Sequence, residues 1–237
     1  MRRSRTVERD PLLYRTIPAS DRSLLISFGE EISLAFHQRV RALTERLLRQ
    51  PPDAILNIHP AYSSLLITFD PLRATFQEIE SSVRNFLIDT TAEPPASPRR
   101  IEIPVCYDEA FGPDLSDVAS LNGLSTEEVI RIHLSGEYYV SFIGFTPGFG
   151  YLGGMSPRIA APRLATPRRR VPAGSVAIGG NQTGIYPTAT PGGWRIIGRT
   201  PLRLFVPDRD PPSLLALGRE VRFRRISRAE FDEIHPP

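Results

Sequence analysis

The apolar and polar positions of the chain follow two different patterns. In residues 11–88, two stretches carry apolar residues at spacings of three and four, which is typical of amphipathic helices. The first stripe is Ile32, Phe36, Val40, Leu43 and Leu47, and the second is Leu72, Phe76, Ile79, Val83 and Phe86. Before each stripe come two short apolar runs that predict strands, at residues 12–17 and 23–28 and at residues 54–58 and 64–69.

The predicted order in this first part is strand, strand, helix, strand, strand, helix. Pro51-Pro52 ends the first helix because proline cannot continue it. Two helices on one face of a small antiparallel sheet predict an α+β N-terminal domain of the ferredoxin-like type. The segment TTAEPPASPRR, residues 90–100, is polar and rich in proline and predicts a linker. We therefore predict domains at residues 1–92 and 93–237.

The second part is dominated by short runs. Residues 101–107 alternate as a strand, and two short helices follow, the second opened by the capping box Ser125-Thr126-Glu127-Glu128. Between residues 138 and 206 the apolar runs are each closed by Gly or Pro, and none is periodic enough for a helix. These runs, at residues 139–145, 175–178, 194–197 and 202–206, predict a compact and mainly-β domain.

The amino-acid composition excludes several classes of function. The chain is 41% hydrophobic and 23% charged, as expected of a globular protein, and its basic residues are all arginine. Without lysine there is no Schiff base, P-loop lysine or lysine general base. Arginine is spread along the chain among acidic residues, which argues against nucleic acid as a partner. No histidine has a partner at metal-ligand spacing, so no metal site is expected.

Cysteine content and hydropathy indicate the cellular compartment in which the protein is expected. Cys106 is the only cysteine, which excludes an intramolecular disulfide, and we interpret it as a small buried apolar residue. The N-terminus has no signal-peptide apolar core, and no apolar run reaches 18 residues. We therefore expect a cytoplasmic protein that does not interact with a membrane.

Residues 138–205 hold the groups of a candidate small-molecule site. Guanidinium groups bind carboxylate or phosphate, aromatic rings supply an apolar floor, and hydroxyl and amide groups fix orientation. The predicted substrate-binding residues are Arg163, Arg168, Arg199, Phe145, Phe149, Tyr151, Tyr186 and Trp194. Pro162 and Pro167 precede the first two arginines and restrict the backbone there, which favours placed side chains.

Several of these residues have a second interpretation. Ser175 has no GxSxG motif around it, so we interpret it as a hydrogen-bond donor and not a nucleophile. Gln182 lies in a Gly-bounded loop suited to recognising an amide. Trp194 either stacks on a ligand or caps the barrel core, and the glycines of GFTPGFGYLGG either present amides to an anion or form a bulge. His133 either caps a helix C-terminus or acts as a general acid or base.

Four segments carry a family resemblance. They are GFTPGFGYLGG at residues 144–154, PRLATPRRRVPAGSVAIGG at 162–180, NQTGIYP at 181–187 and PGGWRIIGRT at 191–200. Together they resemble the signature of the allophanate hydrolase subunit 1 family. Its members include the B subunit of the prokaryotic ATP-dependent 5-oxoprolinase and an inhibitor of a sporulation histidine kinase, and the same module occurs inside urea amidolyase. The resemblance implies a carboxyltransferase-type, cyclophilin-like β-barrel for residues 93–237.

The resemblance implies three alternative functions. In the first, the chain joins 5-oxoprolinase subunits A and C and opens 5-oxoproline to glutamate, with ATP used at the level of the complex. In this hypothesis the arginines hold a carboxylate or acyl phosphate, Gln182 and Ser175 orient the lactam, and His133 moves a proton. In the second, the chain binds and inhibits a histidine kinase. In the third, it positions the substrate while partner subunits supply all catalytic groups.

Overall fold

The computed structural model describes residues 14–88 and 100–234. The chain divides into two compact units, Met1–Ala96 and Ser97–Pro237. The predicted domain boundary after residue 92, and all of the predicted linker except Arg100, lie outside the described residues. No helix among the described residues is both long and apolar enough to cross a membrane.

The first unit has the predicted order of elements. Among its described residues, 14–88, the strands and helices are β1 (Arg15–Ser20), β2 (Ser23–Ser27), α1 (Leu34–Arg49), β3 (Ile55–Pro60), β4 (Ser64–Phe69) and α2 (Phe76–Ile88). The strands form one antiparallel sheet in the order β1-β2-β4-β3. Ser33 begins α1 by accepting a hydrogen bond from the Phe36 amide at 3.2 Å.

The core of this unit lies between the sheet and the two helical stripes. Buried residues from both layers form one cluster, including Leu24, Ile67, Val40 and Val83. The described connectivity β-β-α-β-β-α differs from the β-α-β-β-α-β order of a ferredoxin-like unit, because the described part of this unit begins with a hairpin. Moving the last strand of the ferredoxin-like order to the front gives the observed order. The unit is therefore an α+β sandwich with a different chain start.

The second unit is built mainly from short strands. Its strands are β5 (Arg100–Val105), β6 (Tyr138–Ile143), β7 (Gly150–Gly153), β8 (Arg168–Val171), β9 (Ser175–Gly179), β10 (Gln182–Ile185), β11 (Thr190–Gly192), β12 (Arg195–Arg199) and β13 (Glu220–Arg225). Its helices are α3 (Leu115–Leu121), α4 (Thr126–Leu134) and α5 (Arg228–Ile234), and a 3₁₀ turn spans Pro157–Ile159. The predicted capping box at Ser125 and Glu128 is present at the start of α4.

Seven of these strands form a sheet that closes on itself. Their order is β12-β9-β10-β7-β6-β13-β5, and only the β13–β5 pair among them is parallel. Just past the end of β5, Cys106 exchanges two backbone hydrogen bonds of 2.9 Å with Arg199 of β12, at the other edge. This bridge joins the two edges and makes a barrel-like sheet compatible with the cyclophilin-like prediction. Strands β8 and β11 form a separate two-stranded ribbon.

The barrel interior is packed with branched apolar side chains. Val105, Val140, Leu152, Val176 and Ile197 come from different strands and are fully buried in one cluster. Cys106 is also buried, as predicted, and burial raises the pKa of its thiol. The predicted strand at residues 202–206 is wrong, because this stretch makes only an isolated bridge from Phe205 to Ser213.

Candidate functional site

The five predicted aromatic residues form one cluster. Phe149 lies at its centre, with ring centroids 5.5 Å from Phe145, 4.9 Å from Tyr151, 5.2 Å from Tyr186 and 5.7 Å from Trp194. All four contacts are edge-to-face, the arrangement that aromatic quadrupoles favour. The sequence-based expectation that these rings come together is therefore correct.

The aromatic cluster lies on the outer face of the barrel. On β9, Val176 and Ile178 belong to the barrel interior, whereas Ala177 between them packs with the aromatic rings. Successive residues of a strand point to opposite faces, so the rings cover the outside of the sheet. Val171 of β8 packs on the same cluster, so the ribbon helps to bury it.

Glycines allow the rings to lie against the strands. A Cβ atom at Gly179 would come within 2.5 Å of the Trp194 indole, and one at Gly192 would come within 2.4 Å of the Tyr186 hydroxyl. Both distances are shorter than any real contact, so a larger residue at either position would displace a ring. This explains why the glycines and aromatic residues of the signature occur together.

The loop at residues 144–149 presents Phe145 on the surface. The Thr146 amide donates to the Gly144 carbonyl at 2.7 Å, which makes a three-residue turn centred on Phe145 with φ of 65°. Pro147 and Gly148, the latter with φ of 81°, then form a turn closed by the Phe149 amide and the Thr146 carbonyl at 3.0 Å. A positive φ is strained for a bulky residue, and the Phe145 side chain is left exposed.

Three amides of this loop are not available to an anion. The amides of Gly144, Thr146 and Phe149 all donate to carbonyl groups within the loop. These donors are therefore already used, and the alternative of a structural turn with aromatic packing is the correct one for them.

Three of the five rings are too buried to form a ligand floor. Phe149, Tyr186 and Trp194 are 5% exposed or less. They support the surface from below, which corrects the prediction that each of them touches a substrate. Tyr151 is half-buried and Phe145 is exposed, so these two rings are accessible to a ligand.

Arg163 and Arg168 both lie beside this cluster. The Arg163 guanidinium lies over the Trp194 ring, 5.8 Å from its centroid. Both arginines act electrostatically on the Tyr186 hydroxyl, whose pKa is raised overall by burial. Arg168 Nη2 donates to Asp114 Oδ1 at 2.7 Å, while Arg168 Nη1 is buried and has no hydrogen-bond partner among the described residues.

Arg199 does not join the other two arginines. Its Nε donates to the Ala173 carbonyl at 2.8 Å, and its guanidinium lies 5.8 Å from the centre of the Phe111 ring. Burial lowers the pKa of Arg199, and the nearby Arg228 lowers it further. The prediction of a three-arginine clamp is therefore wrong, because Arg199 lies at the bridge between the two edges of the sheet, opposite Cys106, and its contacts there are with residues outside the aromatic cluster.

His133 lies inside the barrel and not at a site surface. Its ring is fully buried and stacks on Phe223 at 4.4 Å. Thr183 Oγ1 donates to the Ala177 carbonyl at 3.0 Å, so it accepts from His133 Nε2, and His133 Nδ1 accepts from the Tyr107 hydroxyl at 2.8 Å. Both nitrogens of the neutral ring are thus satisfied. The predicted role in proton transfer is therefore replaced by a structural role in the core.

The burial of His133 predicts a pH-dependent stability. Burial lowers its pKa from 6.5 to about 3, so below pH 6.5 the unfolded chain binds a proton that the folded chain does not. The contribution of His133 to stability is therefore fully present above pH 6.5 and is lost as pH falls from there towards 3, by roughly 1 kcal/mol per pH unit. Urea unfolding from about pH 8 to about pH 4 measures this slope.

A matched variant isolates the contribution of His133. His37 in the first unit is also buried, and burial, followed by the charge of Arg41, lowers its pKa to about 4. His133→Gln is expected to be less stable at neutral pH but to show a shallower loss of stability in acid. An unchanged acid slope in this variant would mean that His133 titrates normally in the folded protein.

Ser175 and Gln182 lie on the outer face of the barrel. By strand alternation Ser175 shares a face with Ala177, and Gln182 shares a face with Gly184, against which the Phe149 ring lies. Ser175 is buried, which corrects its predicted role in orienting a substrate. Gln182 is half-buried and remains a candidate.

Sequence reasoning missed Asp114. Asp114 is the residue before α3, but its carboxylate makes no capping bond. Instead Oδ1 accepts from Arg168, and Oδ2 accepts from the Ile196 amide at 2.7 Å. The sequence does not show whether Asp114 caps the helix or makes these long-range contacts, because its partners lie 54 and 82 residues away.

Comparison with known proteins identifies relatives across most of the chain. Residues 14–215 match the family model described as carboxyltransferase domain, subdomain C and D. The B subunit of 5-oxoprolinase from Bacillus subtilis (strain 168) is 44% identical over 228 residues, which cover 92% of this chain and 95% of that protein. The B subunit of 5-oxoprolinase from Escherichia coli O157:H7 is 43% identical over 202 residues, covering 85% of this chain and 91% of that protein.

A solved structure shows the same fold. The crystal structure of TTHA0988 is 40% identical and has a TM-score of 0.78, over 87% of this chain and 40% of that chain. This chain thus spans about two fifths of the length of that protein.

Proposed function

Because this chain belongs to the family of carboxyltransferase domains, subdomain C and D, we propose that it acts as the B subunit of an ATP-dependent 5-oxoprolinase. This enzyme opens the lactam ring of 5-oxoproline to give glutamate. The observation that carries the proposal is 44% identity, over nearly the full length of both chains, to a protein of that name. The outer face of the barrel then holds the substrate.

The geometry of this face supports a small acid as its ligand. Arg168 Nη1 is a charged donor without a partner among the described residues, and Arg163 lies beside the same rings. A substrate carboxylate satisfies such a donor, and hydrogen bonds between charged groups are the strong ones. Phe145 and Tyr151 offer accessible apolar surface for a five-membered ring, and the half-buried Gln182 supplies an amide on the same face for a lactam.

ATP binding belongs to other subunits in this proposal. The chain has no lysine, and the described glycine-rich loop at residues 144–149 uses three of its amides internally. This loop therefore does not resemble a P-loop, which binds a triphosphate with free backbone amides and a lysine. We assign the nucleotide to the partner subunits A and C.

Proton transfer is assigned to the partners as well. His133 is sealed in the barrel, and burial raises the pKa of Tyr151 and of Tyr186, so both hydroxyls are neutral at pH 7. A neutral tyrosine orients a substrate by hydrogen bonding but is a poor general base at this pH. The chain therefore binds and positions 5-oxoproline and is inactive alone.

Reconstitution tests this function. The purified chain, mixed with the subunits encoded beside its gene, is expected to release glutamate from 5-oxoproline only when ATP is present, and each subunit alone is expected to be inactive. Omitting this chain is the control. If the complete mixture releases no glutamate, the proposed function is wrong. Inhibition of histidine kinase autophosphorylation by the chain alone would favour the regulatory alternative, which stays a prediction.

A further inference from the structure

Asp114 occupies an unusual position at the start of α3. Its carboxylate is buried, and its two oxygens have different partners, Arg168 Nη2 and the Ile196 amide, each at 2.7 Å. The Asp114 amide also donates to the Ile196 carbonyl at 3.0 Å. The side chain thus connects the start of α3 to both β12 and β8.

This carboxylate is not used for the helix that follows it. An aspartate at this position ordinarily accepts a hydrogen bond from an amide of the first turn, which stabilises a helix by about 1 kcal/mol. Asp114 makes no such bond. Its backbone and one oxygen are instead fixed on β12, and this leaves the other oxygen aimed at Arg168.

The contact with Asp114 divides the Arg168 guanidinium into an engaged side and a free side. Nη2 is held by the carboxylate, which restricts rotation of the planar group, and Nη1 is buried without a partner in the described part of the chain. Leaving a buried donor unsatisfied costs about 1–3 kcal/mol, so a protein rarely keeps one without a use. Although Nη1 itself is buried, the Arg168 side chain as a whole is 29% exposed, so the guanidinium lies at the edge of the solvent-accessible surface.

We propose that Asp114 is a positioning residue for substrate recognition, which holds Arg168 so that its free side binds the carboxylate of a small acid. This rests on the proposed function, for which that acid is 5-oxoproline. Asp114 acts only through Arg168 and does not touch the substrate. Fixing the guanidinium in advance reduces the entropy lost when the substrate binds.

The variant Asp114→Asn separates this role from simple structural support. The Asn carbonyl still accepts from the Ile196 amide, but its amide group meets the Arg168 donors and cannot hold them. In the reconstituted complex we expect KM for 5-oxoproline to rise about 10-fold while kcat changes less than about 2-fold, because the lost interaction contributes to binding in both states. In the double variant with Arg168→Ala, KM should be no higher than in Arg168→Ala alone.

Asp117→Asn is the matched control. Asp117 lies on the same helix and also pairs with an arginine, Arg195, at 2.7 Å, but its side chain is 57% exposed. Exposed pairs contribute little, so KM should not change. If Asp114→Asn lowers the melting temperature but leaves KM unchanged, Asp114 is only structural and the proposal is wrong.

A binding measurement separates this proposal from the proposed function. Trp194, the only tryptophan, lies beneath Arg163, so its fluorescence reports a ligand at this face in the isolated chain. Titration with 5-oxoproline should show binding that Asp114→Asn weakens about 10-fold. An inactive complex whose subunit still binds in this way would overturn the function and leave the role of Asp114 intact. If the wild-type chain does not bind 5-oxoproline, the positioning role is wrong.

Discussion

Replacing Arg168 with alanine is expected to lower kcat/KM of the assembled enzyme for 5-oxoproline by about 10- to 100-fold. Losing a hydrogen bond between charged groups costs about 1.5–3 kcal/mol, and each 1.4 kcal/mol is about tenfold. The variant also leaves the buried Asp114 carboxylate without its cation, so a drop in stability accompanies the loss of activity. Steady-state kinetics of the reconstituted complex measure the first effect and thermal unfolding the second.

Two further variants separate binding from stability. Arg168→Lys keeps a positive charge near Asp114, so it should preserve stability better than alanine. Its compact ammonium group lacks the two separate Nη donors of arginine, so KM should still rise. Arg169→Ala removes the exposed neighbour on the same strand and should leave both properties unchanged. If Arg168→Lys keeps the wild-type KM, the second Nη group of the guanidinium is not required for substrate binding.

Replacing Phe149 with alanine should cause a large loss of stability. Phe149 is 2% exposed and contacts the other four rings of the aromatic cluster. Removing such a side chain leaves a cavity and costs about 3–5 kcal/mol of the free energy of unfolding. Urea unfolding of the full chain, followed by Trp194 fluorescence, measures this loss because Trp194 belongs to the same cluster.

Phe145→Ala is the control for this prediction. Phe145 has the same chemistry, but its side chain is 60% exposed, and alanine keeps the same strained backbone at φ of 65°. Its stability should change by less than about 0.5 kcal/mol. Equal losses in the two variants would contradict the assignment of Phe149 as the centre of the buried cluster.

The apolar pattern predicted the first unit well. The stripes ending at Leu47 and at Phe86 became α1 and α2, and the four apolar runs became four strands, although β1 extends later than predicted. Both patterns arise from local periodicity, which a single chain displays directly. The sheet order β1-β2-β4-β3 is set by contacts between distant residues, and periodicity does not report it.

The short strands of the second unit were harder to predict. The ribbon strands Arg168–Val171 and Thr190–Gly192 contain charged residues, glycine and proline, so their sequences do not alternate as strands usually do. Each forms because its partner supplies hydrogen bonds across the ribbon. Conversely, residues 202–206 alternate but have, within the described ranges, no neighbouring strand with which to pair in a ladder.

The candidate site was likewise predictable only in part from the sequence. By itself the sequence determined which chemical groups are present: an arginine-rich signature without lysine, five aromatic residues, and glycines spaced so that rings can lie on strands. Only the tertiary structure decided which of these groups share a surface. It brought Arg163 and Arg168 to the rings, placed Arg199 at the bridge between the sheet edges, enclosed His133, and placed Asp114 beside Arg168. The physical reason is that burial and side-chain direction depend on strand pairing between residues far apart in the chain, whereas residue chemistry does not.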